Sequence, residues 1–179
     1  AMLLDYLSGE KEAYLEVHSQ TVETWIMSGK IMCRGFAEMD DLEKKALALC
    51  RGKVLDIGAG SGCHSLVLQE RGLNVYALDN SESCLEVMRQ RGVTNIIGSN
   101  FFAFESEQRF DTLLLLMNGL GIGGTIFGLN VLLQHAATML APGGQILAES
   151  TDLSALFEGD FDFSMDHYSG EIDFVMHYK

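Results

Sequence analysis

Residues 53–62 read Lys-Val-Leu-Asp-Ile-Gly-Ala-Gly-Ser-Gly, and this stretch decides the fold. An apolar run of this length is typical of a strand buried on both faces of a sheet, and here it leads into three alternating glycines. Gly58 and Gly60 permit a sharp turn and leave room for a ligand where a Cβ would intrude, while Gly62 allows close packing of the next helix. The stretch predicts a strand, a ligand-binding turn and a helix, in that order.

A second apolar strand is predicted over residues 73–79, and it ends at the carboxylate of Asp79. Asp79 follows Gly58 by 21 positions. An acid at about this distance from a glycine turn binds the ribose hydroxyls of nucleoside cofactors. The two strands together therefore predict a nucleoside-cofactor site.

Two classes of cofactor fit a glycine turn with a distal acid. A dinucleotide brings a pyrophosphate, which favours a third glycine at the position that Cys63 occupies here. Asp56 lies two residues before the turn, where a carboxylate would oppose a diphosphate but would suit a ligand with ammonium and sulfonium charges. S-adenosylmethionine is such a ligand, and a nicotinamide or flavin cofactor remains the alternative.

The first motif, residues 54–62, resembles that of the class I S-adenosylmethionine-dependent methyltransferases, and the resemblance extends over about residues 50–150. It implies an α/β fold with a doubly wound, mainly parallel sheet and helices on both faces. Further strands are predicted at residues 94–97, 110–117 and 145–149. Cofactors bind such sheets at the carboxyl ends of the strands.

The resemblance also implies which residues bind the cofactor. Asn100 stands where the family usually has an aspartate, so an amide replaces a negative charge at the adenine edge. Asn118 follows the fourth strand, where cofactor and substrate meet in the family. The implied cofactor-binding residues are Asp56, Gly58, Ala59, Gly60, Asp79, Asn80, Asn100, Phe101 and Asn118.

Three residues are candidates for a catalytic base, and one of them is Asp152, which lies beyond the fifth strand together with Glu149. His64 begins the first helix near the expected methyl donor, and Glu149 follows the fifth strand. Methyl transfer needs no dedicated base when nucleophile, methyl group and sulfur are aligned. No metal is predicted, because the four cysteines are scattered without a metal-binding spacing.

The domain organisation is predicted as an N-terminal helical cap, residues 1–50, in one domain with a methyltransferase core, residues 51–179. Cap helices are expected at residues 6–18, 21–28 and 41–50, and they would lend side chains to the acceptor pocket. The candidate side chains are Tyr14, His18, Trp25, Arg34 and Phe36.

The C-terminal part of the chain predicts an incomplete version of the family's seven-stranded sheet. Residues 171–178 alternate in polarity and predict one strand, with too little chain for two. An unpaired edge that carries Phe174 and Met176 would invite self-association.

Composition limits the partners. The chain has 12 basic and 25 acidic residues, a net charge of −13, whereas nucleic-acid binders need a basic surface. We expect a cytoplasmic protein that binds neither nucleic acid nor membrane. The function predicted is S-adenosylmethionine-dependent methylation of a small molecule; the alternatives are a non-catalytic module that binds S-adenosylmethionine or S-adenosylhomocysteine, and a Rossmann dehydrogenase.

Overall fold

The computed structural model describes residues 1–20, 22–151 and 172–178, and it contains two β-sheets. The described strands are β1 (Tyr14–Ser19), β2 (Trp25–Ser28), β3 (Lys53–Ile57), β4 (Asn74–Asp79), β5 (Asn95–Gly98), β6 (Phe110–Leu115), β7 (Leu140–Ala148) and β8 (Phe174–Tyr178). The described α-helices are α1 (Met2–Leu7), α2 (Gly29–Met32), α3 (Asp41–Leu49), α4 (Cys63–Glu70), α5 (Glu82–Arg91) and α6 (Ile126–Met139). Short 3-10 helices lie at Phe36–Glu38, Phe101–Ala103 and Gly119–Gly123.

The larger sheet has the strand order β5-β4-β3-β6-β7, and all of its neighbouring strands are parallel. Its centre is fully buried, as the side chains of Leu55 and Leu113 show. Parallel strands require crossover connections, which explains the alternation of strand and helix along the chain. The predicted doubly wound α/β fold is confirmed, and β4, β5 and β6 lie within two residues of their predicted bounds.

Helices cover both faces of this sheet, because successive side chains of each strand point to opposite sides. Val54 and Leu114 share one face with Leu47 of α3 and Val67 of α4. The opposite face packs against α6. The side chains in that second cluster include Leu55, Ile57, Leu113, Leu115, Leu132 and Ala136.

The predicted helices at residues 6–18 and 21–28 are wrong, because β1 and β2 form an antiparallel hairpin there. Residues 14–19 alternate in polarity with a period of two, which is a strand pattern. Val17 is fully buried, while its neighbours Glu16 and His18 are partly exposed. The N-terminal segment therefore combines helices and strands, and the third predicted helix agrees with α3.

The C-terminal strand forms, but it joins a different sheet. β8 pairs antiparallel with β1, with Leu15 opposite Tyr178 and Ser19 opposite Phe174, and the order of the smaller sheet is β2-β1-β8. The predicted incompleteness concerns the larger sheet, which has five strands within the described ranges and β7 at one edge. Self-association through the C-terminal strand stays a prediction.

The edge strand β7 begins five residues before the expected position 145. Leu140 pairs with Phe110, and the register then shifts before Gln145 pairs with Thr112. Pro142 lies in this first part of β7, which is compatible with an edge strand because proline cannot donate to a ladder.

Candidate active site

The turn between β3 and α4 has the backbone conformation that its glycines predicted. Gly58, Gly60 and Gly62 have φ angles of +72°, +57° and +77°. A Cβ on Gly60 would find no atom nearer than 3.9 Å, so open space lies beside it, whereas a Cβ on Gly62 would lie 2.7 Å from Val93. Gly62 therefore serves packing, and the space beside Gly60 is available to a ligand. We call residues 58–62 the glycine loop.

Asp79 lies directly against this loop. Its Oδ2 accepts a hydrogen bond of 2.8 Å from the amide of Gly60, and its Oδ1 accepts one of 2.9 Å from the amide of Ser81. A carboxylate has about four acceptor sites, so capacity for ribose hydroxyls remains. The neighbouring Asn80 is exposed.

Asp56 is buried beneath α4 and has only 2% of its surface exposed. Its Oδ2 accepts a hydrogen bond of 2.7 Å from the hydroxyl of Ser65. Burial raises the pKa of Asp56, against the opposing effects of His64 and Ser65. The carboxylate of Asp56 therefore contacts buried side chains, whereas the carboxylate of Asp79 contacts the glycine loop.

The end of β5 brings Asn100 and Phe101 to the same edge of the sheet. Asn100 is exposed, and its Oδ1 accepts a hydrogen bond of 2.9 Å from the amide of Phe102, which caps the following 3-10 helix. Phe101 is 3% exposed and contacts His135 edge-on, with ring centroids 5.0 Å apart. The ring of Phe101 is part of the core, so the exposed amide of Asn100 is the more accessible group.

Residues 116–118, which we call the β6 turn, have unusual backbone angles. Met117 and Asn118 have φ angles of +53° and +61°, and such values in consecutive non-glycine residues indicate strain that the surroundings must hold. The amide of Asn118 donates to Oε1 of Glu149 at 3.2 Å. Two predicted site residues from different segments are thereby brought into contact. The candidate base Asp152 lies outside the described residues.

A buried charged cluster lies beside the site, and sequence reasoning missed its central residue, Glu43. The carboxylate of Glu43 forms a bidentate ion pair with Arg34 and a hydrogen bond of 2.7 Å with Nε2 of His64. Arg34, Glu43 and His64 are 8%, 4% and 5% exposed. Asp40 and Glu43 form a capping box at the start of α3, which the spacing of the two acids could have indicated.

The cluster favours charged forms of its members. Burial opposes the charge on His64, but the hydrogen bond and charge of Cys63, the charge of Asp56 and the hydrogen bond to Glu43 raise the pKa of His64 to about 9. Burial likewise opposes the charge on Glu43, yet its hydrogen bonds with Arg34 and His64 hold the pKa below its ordinary value. A protonated His64 bound to Glu43 is poorly suited to accept a proton at neutral pH.

A cavity of about 560 Å³ opens between α2 and the β6 turn. Of the five side chains predicted for an acceptor pocket, Arg34 lines this cavity. Its other lining residues are Ser28, Lys30, Ile31, Glu38, Asp40, Glu43 and Met117. The volume lies within the range of ligand pockets, about 300 to 1,000 Å³.

The described residues contain neither a metal-binding cluster nor a helix suited to cross a membrane. No group of three or more His, Cys, Asp or Glu side chains is arranged to hold a metal ion. In the same ranges, no helix has the length and apolar character that a bilayer crossing needs.

Known proteins match this chain in sequence and in fold. Residues 54–144 match the methyltransferase domain family. A crystal structure of an S-adenosylmethionine-dependent methyltransferase from Bacteroides fragilis, in complex with S-adenosyl-L-homocysteine, is 42% identical, with a TM-score of 0.88 over 99% of this chain and 73% of that one. The chain therefore belongs to the methyltransferase family, which confirms the predicted resemblance.

Two more distant matches are known, one in fold and one in sequence. The CcbJ methyltransferase from Streptomyces caelestis is 23% identical, with a TM-score of 0.54 over 62% of this chain and 52% of that one. An uncharacterised methyltransferase from Staphylococcus carnosus is 28% identical over 76 residues, 42% of this chain. That match spans 37% of the relative's length.

Proposed function

We propose that this chain binds S-adenosylmethionine at the carboxyl edge of its parallel sheet and transfers the methyl group to a small-molecule acceptor. The observation that carries the proposal is the contact between Asp79 and Gly60, which joins a ribose-type acid to a glycine loop with open space beside it. The relative from Bacteroides fragilis, whose structure contains the demethylated cofactor, supports the same ligand.

The residues fit this cofactor in a defined way. We assign the ribose hydroxyls to Asp79 and Asn80, since the Asp79 oxygens keep unused acceptor capacity. We assign the adenine edge to Asn100, whose side chain is exposed, with Phe101 supporting it from the core. When bound, S-adenosylmethionine supplies a methyl group activated by its sulfonium charge.

The glycine loop and the β6 turn form the rest of the proposed site. Gly58, Ala59 and Gly60 present backbone without bulky side chains, and Asn118 in the β6 turn is exposed. Asp56 is a buried member of the proposed site, where it accepts a hydrogen bond from the hydroxyl of Ser65 at the start of α4. The amides of Gly58 and Ala59 donate to the carbonyl of Leu78 at 2.9 and 3.0 Å, so the start of the loop is tied to the end of β4.

Glu149 is the better candidate for a base, if the acceptor loses a proton to the protein. It is partly exposed and contacts Asn118, whereas His64 is buried and paired with Glu43. The acceptor itself is proposed to enter the cavity of about 560 Å³ beside Met117. The net charge of −13 argues against a nucleic-acid acceptor.

Calorimetry with S-adenosylhomocysteine, S-adenosylmethionine and NADH tests cofactor choice. Binding of the first two and none of the third is expected, and the reverse pattern would refute the proposal. A metabolite mixture incubated with the protein and S-adenosylmethionine should then yield a product heavier by one methylene group. Cofactor binding without any such product across broad acceptor mixtures would instead support the non-catalytic binding module.

A further inference from the structure

The end of α2 touches both walls of the proposed cofactor crevice. Residues 32–34, which we call the strap, contact the glycine loop on one side and the β6 turn on the other. Each contact involves a side chain whose position is fixed by further hydrogen bonds. The strap therefore connects two loops that are far apart in sequence.

On the side of the glycine loop, the strap is held by Ser61 and Arg91. The hydroxyl of Ser61, which is 2% exposed, donates to the carbonyl of Met32. Nη1 of Arg91 donates to the carbonyl and the hydroxyl of Ser61, both at 2.8 Å, and Nη2 donates to the carbonyl of Cys33 at 2.9 Å. One guanidinium thus binds the loop and the strap together.

On the side of the β6 turn, the contact is made by Arg34. Its Nη2 donates to Sδ of Met117 at 2.8 Å, and its Nη1 donates to the carbonyl of Ile31 at 2.7 Å. Met117 is one of the two strained residues of the turn, with φ at +53°. Strained conformations persist only when their surroundings hold them, and Arg34 supplies one such contact.

Glu43 fixes the guanidinium of Arg34. Its two oxygens accept hydrogen bonds from Nε and Nη2 of Arg34, from the amide of Asp40 at 3.1 Å, and from the ring of His64. A bidentate pair of this kind restricts the orientation of the guanidinium as well as its position. Removal of the carboxylate would free Arg34 to leave Met117.

We propose that Arg34 and Glu43 are positioning residues that act through Met117 to hold the β6 turn at its distance from the glycine loop. This inference rests on the proposed function, because the spacing of the two loops matters for a ligand bound between them. Coupling of this kind is carried by contiguous hydrogen bonds, and it makes the effects of the linked residues non-additive.

The test is a double-mutant cycle with S-adenosylhomocysteine as the probe, measured by calorimetry. Glu43→Gln and Met117→Leu should each weaken the binding of S-adenosylhomocysteine by about tenfold. Because the two residues act through one contact, the affinity of the double variant should be no lower than that of the single variant with the lower affinity. Glu86→Gln, which removes the acid of an exposed ion pair with Arg89, is the matched control and should bind like wild type. Additive losses, or unchanged binding in Glu43→Gln, would overturn the proposal.

A second measurement needs no ligand and separates the two proposals. In protein labelled with 13C at the methionine methyl groups, Met117→Leu assigns one signal, which Glu43→Gln should shift and Glu86→Gln should leave in place. If Glu43→Gln does not fold, Arg34→Lys replaces it, because lysine keeps a cation beside Glu43 without the second arm. If the Met117 signal does not move in Glu43→Gln, the positioning role of Arg34 and Glu43 is refuted. If the wild-type protein does not bind S-adenosylhomocysteine, the proposed cofactor is refuted instead.

Discussion

Asp79 is the residue whose side chain bears most directly on cofactor affinity. Asp79→Asn keeps the size of the side chain but removes the charge and replaces one acceptor oxygen with an NH2 donor, so hydrogen bonds that the carboxylate accepts are lost. Hydrogen bonds to charged groups contribute about 1.5 to 3 kcal/mol, so affinity for S-adenosylhomocysteine should fall by about 10- to 160-fold. Calorimetry checks this, with Asp173→Asn at an exposed position as control. Equal affinities of wild type and Asp79→Asn would remove Asp79 from the ribose role.

His64 predicts a pH dependence of stability. Its pKa is about 9 in the fold and 6.5 in an unperturbed chain. A raised pKa means that protonation stabilises the fold, so this contribution is complete below pH 6.5 and is lost as pH rises through 9. Relative to His64→Gln, wild type should lose on the order of 3 kcal/mol of unfolding free energy across that interval. Urea unfolding at several pH values measures the difference, and parallel curves for the two proteins would contradict it.

Among the elements, the glycine loop can be tested by comparing an alanine substitution inside it with one at a glycine elsewhere that has a similar backbone conformation. Gly60 and Gly72 both have positive φ, and an added Cβ would have no contact within 4 Å at Gly72 and only distant ones at Gly60. Gly60→Ala and Gly72→Ala should therefore each cost about 1 to 2 kcal/mol of stability. Affinity for S-adenosylhomocysteine should fall only in Gly60→Ala, because its methyl group enters ligand space. Thermal unfolding and calorimetry on both variants provide the readouts, and matched affinities would show that the loop does not face the ligand.

The elements also show how far sequence predicts this fold. The strands β3, β4 and β6 were predictable because buried parallel strands read as near-continuous apolar runs. The sequence does not predict the hairpin of β1 and β2, because the alternation in residues 14–19 is short and overlaps the helix expected at residues 6–18. The burial of Glu43 could not be read from α3 itself, since it depends on Arg34 and His64, which approach only when three segments fold together.

At the scale of the whole molecule, the two sheets share no strand among the described residues, so they should open separately. Met176 lies opposite Val17 in the pairing of β8 with β1. Met176→Pro disrupts that ladder because proline cannot donate a hydrogen bond and fixes φ, whereas Met176→Ala removes only the side chain. Amide exchange in Tyr14–Ser19 should accelerate by at least about tenfold in the proline variant, while Lys53–Ile57 stays protected in both. If amide exchange in Lys53–Ile57 also accelerates in the proline variant, the two sheets unfold as one cooperative unit. In that case the smaller sheet contributes to the stability of the cofactor site in the larger one.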